Sequence, residues 1–598
     1  MKRIAAILIL ISFISTTAAS QVNPKIESII SEYNAARNDS VKVLILGKLA
    51  EYYYIYQLED LGDSVLQVQL KTAEYLQNKT LILATLFGTA ITNISNWRSK
   101  ETFDKALSFT QKSLEYAKAI GSEEYITLAY IRMASLYRKR GQLENSFNHA
   151  NIAFTSSLNI KSDSIKILAA LEMGDAYLAK GDALLAFKTY INAYDKAADI
   201  QYISLLSEVL HRYSNLYQSL ENNILAKENL FQSLKLNKEN NYSKGIVNDY
   251  IDLARITNER SYIEKAINLA DSLNLEKYLI RAKNIMYGYY TFIIANSDST
   301  IHYINRNPDL KQFFLNGGNA SYNWKLGSIF HYSNQPDSAI HYLKLSEPLF
   351  DRDYDIATRK AFYGEMGECY SMLNQHSLAI IYYEKALKLT EQFKDLSKAV
   401  LYTNSLSKLY GKLNNYKMAF VHSQKAAELK DTLQQLSNLR DITLIEISNE
   451  KKNHEKELEL LTEKKLVKRN LQYMAITVAL AIIFILLILI GMLPISKLTI
   501  KILGYFAFIS LFEFIVLLVE PFFHNIAHGE PLKIWLLKIT LIAILVPMQH
   551  YLESGMMKFI ESRKISKLRE KFLLKKRGKT KMPAPDIIDE IEKDTAVL

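Results

Sequence analysis

Residues 367–386 of this 598-residue chain read GECYSMLNQHSLAIIYYEKA. This segment places small and aromatic residues at distances of 3, 12, 16 and 19 from its first residue: Gly367, Tyr370, Ala379, Tyr383 and Ala386. The spacing predicts two helices joined by a tight turn, because residues three or four apart share one face of a helix. The small residues let the paired helices touch, and the large residues fill the space on either side.

The same pattern recurs at steps of 40 residues, which predicts about ten helical hairpins. Its copies are Ile94/Trp97/Ala106, Ala134/Tyr137/Ser146, Gly174/Tyr177/Ala186, Ser214/Tyr217/Ala226, Ala254/Thr257/Ala266, Gly327/Phe330/Ala339 and Ser407/Tyr410/Ala419, with looser ones at Ala50/Tyr53 and Gly288/Thr291/Thr300. The chain has only 20 Gly and 10 Pro. This scarcity favours long helices and excludes collagen-like, low-complexity and turn-rich all-β designs. A single cysteine, Cys369, excludes a disulfide framework and is expected to be a buried small hydrophobe.

Over roughly residues 40–430 the pattern resembles the tetratricopeptide repeat (TPR) superfamily. The 40-residue step, in place of the usual 34, predicts longer helices, and the family's helix-ending proline is absent from nearly every repeat. The resemblance implies an all-α solenoid that binds a protein or peptide in a concave groove lined by the first helix of each hairpin. For any one outward-pointing residue of those helices, the alternative to a ligand contact is that the residue is only part of the solvated surface. The candidate groove residues are Arg98, Ser135, Arg138, Asp175, His211, Asn215, Gln218, Trp324 and His331.

The chain is predicted to have seven parts. They are a signal peptide (1–20), the TPR solenoid (21–430), a charged stalk helix (431–470), three transmembrane helices (471–493, 502–520 and 532–552) and a basic cytosolic tail with an acidic end (553–598). The signal peptide is inferred from Lys2 and Arg3, an apolar stretch and a small-residue cleavage site before Gln21. The stalk has two interpretations: a coiled coil that forms a homodimer, or a solvated single helix with internal Glu–Lys pairs.

Orientation follows from the signal peptide, which places the solenoid in the periplasm of a bacterium and the C-terminus in the cytoplasm. Residues 556–581 agree, because their eleven Lys and Arg against two Glu form a positive-inside signal suited to the anionic inner leaflet. Lys464, Lys465, Lys468 and Arg469 lie on the outer side in this arrangement and argue against it. The net charge of +11 is concentrated in the tail, so a nucleic-acid partner is not predicted.

Ionisable residues inside a membrane are functional candidates. Glu513 and Lys538 lie at similar depth in the second and third spans, and they are predicted to form an intramembrane pair; the alternative is that Lys538 snorkels alone and Glu513 is protonated. His524 and His528 lie in a loop with Gly529 and Pro531, so a metal or hydrolytic site is not expected there.

The order of signal peptide, TPR array, charged helix and membrane span resembles Bacteroidota-type membrane-anchored TPR sensor proteins. Those carry a kinase or DNA-binding output domain, for which this chain has no room after its third span. The sequence therefore predicts a non-enzymatic scaffold or signal-input protein of the inner membrane, without cofactor or metal. The alternative is a membrane enzyme or transporter accessory whose functional residues lie in the three-helix bundle.

Overall fold

The computed structural model describes residues 24–94, 100–354, 356–392, 395–491, 496–526 and 531–560, with residues 562, 567, 570 and 571. The predicted signal peptide, Arg98, His528 and most of the basic tail lie outside the described residues. The described part is built of α-helices, with one π-helical segment at Tyr289–Ile294. It divides into two compact units between Lys451 and Lys452.

The first unit is an array of helical hairpins. A short helix, α1 (Pro24–Ala35), precedes them. The hairpins are α2–α3 (Asp39–Ile55, Glu59–Tyr75), α4–α5 (Lys79–Ile94, Lys100–Ala119), α6–α7 (Glu123–Lys139, Leu143–Ser157), α8–α9 (Asp163–Ala179, Ala183–Asp199), α10–α11 (Ile203–Ser219, Asn223–Glu239) and α12–α13 (Ser243–Thr257, Arg260–Ser272). Next come α14 (Glu276–Gly288), α15 (Ser297–Arg306) and α16 (Pro308–Asn316), then α17–α18 (Asn319–Tyr332, Pro336–Asp353), α19–α20 (Ile356–Met372, His376–Gln392), and α21 (Leu396–Lys412) with the start of α22 (Tyr416–Gly491). Many of these helices have 17 residues, which accounts for the 40-residue step.

The turn inside each hairpin explains the position of the motif aromatic. In the α19–α20 turn, Asn374 has a left-handed φ of 57°, and the N–H of Gln375 donates to the carbonyl of Tyr370 at 2.9 Å. This is a Schellman ending, in which one left-handed residue closes the helix and satisfies its last carbonyls. The same bond recurs from Gln142 to Tyr137, Asp182 to Tyr177, Asn222 to Tyr217, Gln335 to Phe330 and Asn415 to Tyr410. The motif aromatic therefore lies a fixed number of residues before the turn.

The small motif residues are contact points between paired helices. A Cβ added to Gly174 would lie 2.3 Å from the ring of Tyr190, and one added to Gly367 would lie 2.9 Å from the ring of Tyr383. The small residues on the second helices are fully or almost fully buried: Ala106, Ser146, Ala186, Ala226, Ala266, Ala339 and Ala379. The predicted close packing of small against aromatic residues is confirmed.

The N-terminal part of the solenoid is closed by a contact between its first hairpin and α14. Tyr52 and Tyr53 of α2 share an apolar core with Ile280 of α14. The hydroxyl of Tyr56 donates to Glu276, whose carboxylate also pairs with Lys25 at 3.0 Å. The first hairpin therefore packs against α14, although their residues are more than 200 positions apart.

Helix α22 runs unbroken for 76 residues, from the last hairpin through the predicted stalk. Within the first unit, part of it lies against earlier repeats. Ile447 is 1% exposed and joins the apolar core built by α8–α11. Arg440 pairs with Glu221, and Glu450 pairs with Lys188 at 3.3 Å. Residues 440–450 thus pack on the solenoid, an arrangement that neither interpretation of the stalk included.

The second unit holds the end of α22, then α23 (Lys497–Ile526) and α24 (Pro531–Ile560). Three segments are long and apolar enough to cross a membrane: the end of α22, Lys501–Glu520 and Leu532–Leu552. The rings of Phe484 and Phe508 lie 5.5 Å apart and join α22 to α23. The three predicted spans therefore coincide with apolar helices.

Candidate functional site

First helices of neighbouring hairpins contact one another. Residues of α6, α10, α12 and α14, with Tyr242 of the preceding turn, line a cavity of about 530 Å³, which we call the charged cavity. Its walls include Lys139, His211, Asn215, Asp252, Lys277 and Arg281. A smaller cavity of about 180 Å³ lies beside it and is lined by Ser135 and Glu172, among others.

A buried ion-pair network joins α6, α8 and α10 beside the charged cavity. Arg138 contacts Glu172 at 3.1 Å and Asp175 at 2.8 Å, and the second carboxylate oxygen of Asp175 lies 3.0 Å from Arg212. The hydroxyl of Tyr190 donates to Asp175 at 2.7 Å. Burial raises the pKa of Glu172 to about 7 even though Arg138 opposes the shift. These charges hold three successive hairpins together.

His211 is the centre of a second set of contacts between α10, α12 and α14. Its Nε2 lies 2.9 Å from Asp249, and its Nδ1 lies 3.0 Å from Asp252. Arg281 of α14 contacts Asp252 at 2.8 Å and donates to the amide oxygen of Asn248 at 2.6 Å. Burial alone would lower the pKa of His211, but its hydrogen bonds to the two aspartates raise it to about 9. His211 is therefore a cation at neutral pH.

The candidate groove residues differ in their placement. His211 lines the charged cavity and Arg138 and Asp175 lie beside it, but all three are engaged with neighbouring repeats. Asn215 is exposed on its wall, and the amide of Gln218 contacts the hydroxyl of Ser214 at 3.3 Å. Their role as partner contacts remains a prediction.

Trp324 and His331 lie in a separate place, which we call the carboxylate cluster. The indole of Trp324 donates to Glu365 at 2.9 Å, and Ser328 donates to the same oxygen at 2.7 Å. His331 contacts Glu368 at 2.9 Å and the thiol of Cys369 at 3.2 Å. Burial raises the pKa of Glu365. Cys369 is buried as expected, and burial raises the pKa of its thiol.

The sequence contains a charge pattern that the motif register overlooked. Arg132, Glu172, Arg212 and Asp252 follow one another at 40-residue steps on α6, α8, α10 and α12, with alternating sign. Such a column predicts ion pairs between its successive members, but Glu172 pairs instead with Arg138, Arg212 with Asp175 and Asp252 with His211. Lys277 and Arg281 had no comparable signal, because the closure of the first turn brings α14 to the cavity.

The predicted intramembrane pair is corrected by the structure. The ammonium of Lys538 lies 2.5 Å from Glu520, rather than pairing with Glu513. The prediction ended the second span at Glu520, but α23 continues to Ile526, so the turn lies farther along the chain. Glu520 and Lys538 are then at matching distances from the turn. His524 falls within α23 rather than in a loop.

The family model of the tetratricopeptide repeat matches residues 361–393, which comprise most of α19 and α20. The chain therefore contains a tetratricopeptide repeat. The hairpins on either side of the match share its turn and its buried small residues. Proteins of this fold typically mediate protein interactions. Among the described residues, no group of three or more His, Cys, Asp or Glu is arranged to hold a metal ion.

Solved structures with similar folds include repeat arrays from other proteins. A TPR-like repeat protein described as a kinesin light chain from Podosopora anserina is 15% identical, covering 35% of this chain and all of that one, with a TM-score of 0.26. The quorum sensor NprR of B. thuringiensis is 11% identical, with coverages of 56% and 97% and a TM-score of 0.38. The Rap conjugation gene regulator of plasmid pLS20, in complex with the Phr* peptide, is 12% identical, with coverages of 52% and 97% and a TM-score of 0.35. No curated protein matches the chain by sequence.

Proposed function

We propose that this TPR protein is a membrane-anchored interaction protein of the bacterial envelope, which binds a segment of a protein or peptide along the inner face of its solenoid. The observation that carries the proposal is the charged cavity, where four first helices present polar side chains to one space. Of its nine charged side chains, four form ion pairs between repeats, an arrangement suited to a rigid binding surface rather than to proton transfer: His211, Arg212, Asp252 and Arg281.

Membrane anchoring is supported by the three apolar helices, and the basic segment 556–581 supports a cytoplasmic C-terminus. The N-terminal signal-like sequence supports export of the solenoid. In this arrangement the protein receives its ligand outside the cytoplasm and acts as a scaffold or as the input of a signal.

Site-specific photo-crosslinking in the full chain, in the cells that produce it, tests the binding surface. Asn215 is exposed on the cavity wall, and Lys235 is exposed on the second helix of the same hairpin. A benzophenone amino acid at position 215 is expected to give a discrete adduct that position 235 does not give. Equal adducts at both positions, or none at position 215, would contradict binding at the inner face.

Topology is tested separately by a C-terminal fusion to a reporter that is active only in the cytoplasm. An active fusion is expected, and an inactive one would reverse the proposed orientation. Substitution of Glu513, His524 and His528 tests the alternative of a functional membrane bundle. If these substitutions abolish the function of the protein in cells while crosslinking at position 215 is retained, that alternative is favoured.

A further inference from the structure

Glu513 lies inside the apolar part of α23. The second candidate span comprises Lys501–Glu520, and Glu513 precedes its end by seven residues, which is about 10 Å along a helix. Residues 502–519 contain no other Asp, Glu, Lys or Arg. In a bilayer the carboxyl group would therefore lie within the hydrocarbon, where an unpaired charge is costly.

No cation of this chain is available to Glu513. Among the described residues, Glu513 takes part in no hydrogen bond or ion pair, whereas Glu520 is held by Lys538. Glu513 lies 13 residues before the end of α23, and the residue 13 positions after the start of α24 is Ile544. Residues 471–493 of the first span and 539–552 of the third contain no Lys or Arg. A cation at the level of Glu513 must come from another molecule.

The side of α23 that carries Glu513 is not used for packing within the chain. The helix contacts α22 through Phe508, whose ring lies 5.5 Å from that of Phe484. Glu513 is exposed, and three apolar residues at helical spacing on the same side are 66%, 55% and 41% exposed. We call this side the Glu513 face: Phe506, Ile509, Glu513 and Leu517.

The chemistry of the Glu513 face distinguishes between its possible occupants. Lipid suits the three apolar side chains but leaves the carboxylate without a partner. A second copy of the chain would insert in the same orientation and bring its own Glu513 to the same depth, which places like charges together. A helix with Lys or Arg at that depth would pair with the carboxylate, and its apolar side chains would pack against those around it.

We infer that the Glu513 face binds a transmembrane helix of a different membrane protein, one that carries a Lys or Arg near the middle of its span. The inference rests on the membrane anchoring in the proposed function. It adds to the ligand of the solenoid a second partner, which is recognised within the bilayer.

Photo-crosslinking of the full chain in the cells that produce it tests the inference. A benzophenone amino acid replaces Ile509 on the Glu513 face or, as the matched control, Ile544, which is exposed on α24 at the same distance from the turn. Position 509 is expected to give a discrete protein adduct that position 544 does not give. Mass spectrometry of the adduct is expected to find the crosslink in an apolar segment that contains Lys or Arg.

The charge of Glu513 is tested in the same assay. Glu513→Gln keeps the size of the side chain and removes its charge, so it is expected to reduce the adduct at position 509 at least fivefold. Glu513→Asp keeps the charge and is expected to retain the adduct. Immunoblots of the membrane fraction check that the variants accumulate equally.

A defined probe tests the same chemistry with the purified full chain in lipid vesicles. The probe is a labelled polyleucine transmembrane peptide with one central lysine, and its control is the peptide with leucine at that position. Energy transfer from the labelled chain is expected to show at least tenfold tighter association of the lysine peptide. Glu513→Gln is expected to remove this difference.

Four outcomes would overturn the inference: no protein adduct at position 509, an adduct between two differently tagged copies of the chain, an adduct unchanged in Glu513→Gln, or equal association of the two peptides. Loss of function in Glu513→Gln with the adduct intact would assign Glu513 to the chain's own bundle instead. The proposed function still stands in each case if position 215 crosslinks and the chain is found in the membrane fraction. Absence of the chain from that fraction would overturn both.

Discussion

The charged cavity and the carboxylate cluster are both built by first helices of adjacent hairpins, yet they differ in how their charges are matched. At the charged cavity, cations outnumber the carboxylates on the walls and space remains between the helices. At the carboxylate cluster, neutral donors from Trp324 and Ser328 converge on the half-buried Glu365. Equivalent positions of one repeat can therefore either expose charge to a ligand or fasten two repeats together.

The largest effect on stability is expected when one charge is removed from the buried ion-pair network beside the charged cavity. Arg212→Met leaves Asp175 with one arginine partner fewer and removes the contact with Glu208. We expect a loss of about 3–5 kcal/mol in the free energy of unfolding, because an uncompensated buried charge is costly. Urea denaturation of the full chain in detergent measures it. The exposed Lys235→Met is the control, and a loss under about 1 kcal/mol would indicate that the network is hydrated.

The pH dependence of stability should come from His211. Because folding raises the pKa of His211 from 6.5 to about 9, its contribution is fully present below about pH 6.5 and is lost as the pH rises to about 9. A loss on the order of 3 kcal/mol is expected across this window. Urea midpoints measured at several pH values in wild type and His211→Gln check it. If the stability of both proteins changes with pH by the same slope, His211 is not the residue that holds the extra proton in the folded state.

The carboxylate cluster should respond more weakly to the loss of one donor. Trp324→Phe keeps an aromatic ring against Phe350 and removes the indole N–H that Glu365 accepts. Ser328 still donates to Glu365, so a cost of about 1 kcal/mol is expected, typical of one hydrogen bond. The combined variant with Glu365→Gln shows whether the two losses couple. A cost as large as that of Arg212→Met would remove the contrast between the regions.

The smallest effect is expected where α22 meets the repeats at the surface. The ion pair of Arg440 with Glu221 is partly exposed, so Arg440→Gln should cost under about 1 kcal/mol. The adjacent Ile447→Ala should cost more, about 2 kcal/mol or above, because its side chain is buried. Hydrogen exchange along residues 440–450 distinguishes the two variants. Equal protection in both would show that charge and not burial docks this segment.

The repeat could be predicted from sequence because its determinants are local. Gly367 and Tyr383 are 16 residues apart, and their contact follows from one hairpin. The docking of α2 on α14 and of Ile447 on α8–α11 depends on small rotations accumulated over many repeats, and no short pattern encodes them. The same limit affected the candidate site: the register pointed to His211, which lines the charged cavity, whereas Lys277 reaches the cavity only through closure. The predicted partner of Lys538 was wrong because it depended on the position of the turn between α23 and α24.

The contact between Tyr56 and Glu276 changes how the inner face can be reached. An open repeat array can spread along its length like a spring, so that a long ligand enters from the side. Here the first hairpin is fastened to α14 across 220 positions of sequence. For a ligand that binds along the proposed inner face, this contact acts as a latch that must open before the ligand can enter from the side. Variants that weaken the latch should therefore change the association rate of a ligand more than its equilibrium affinity.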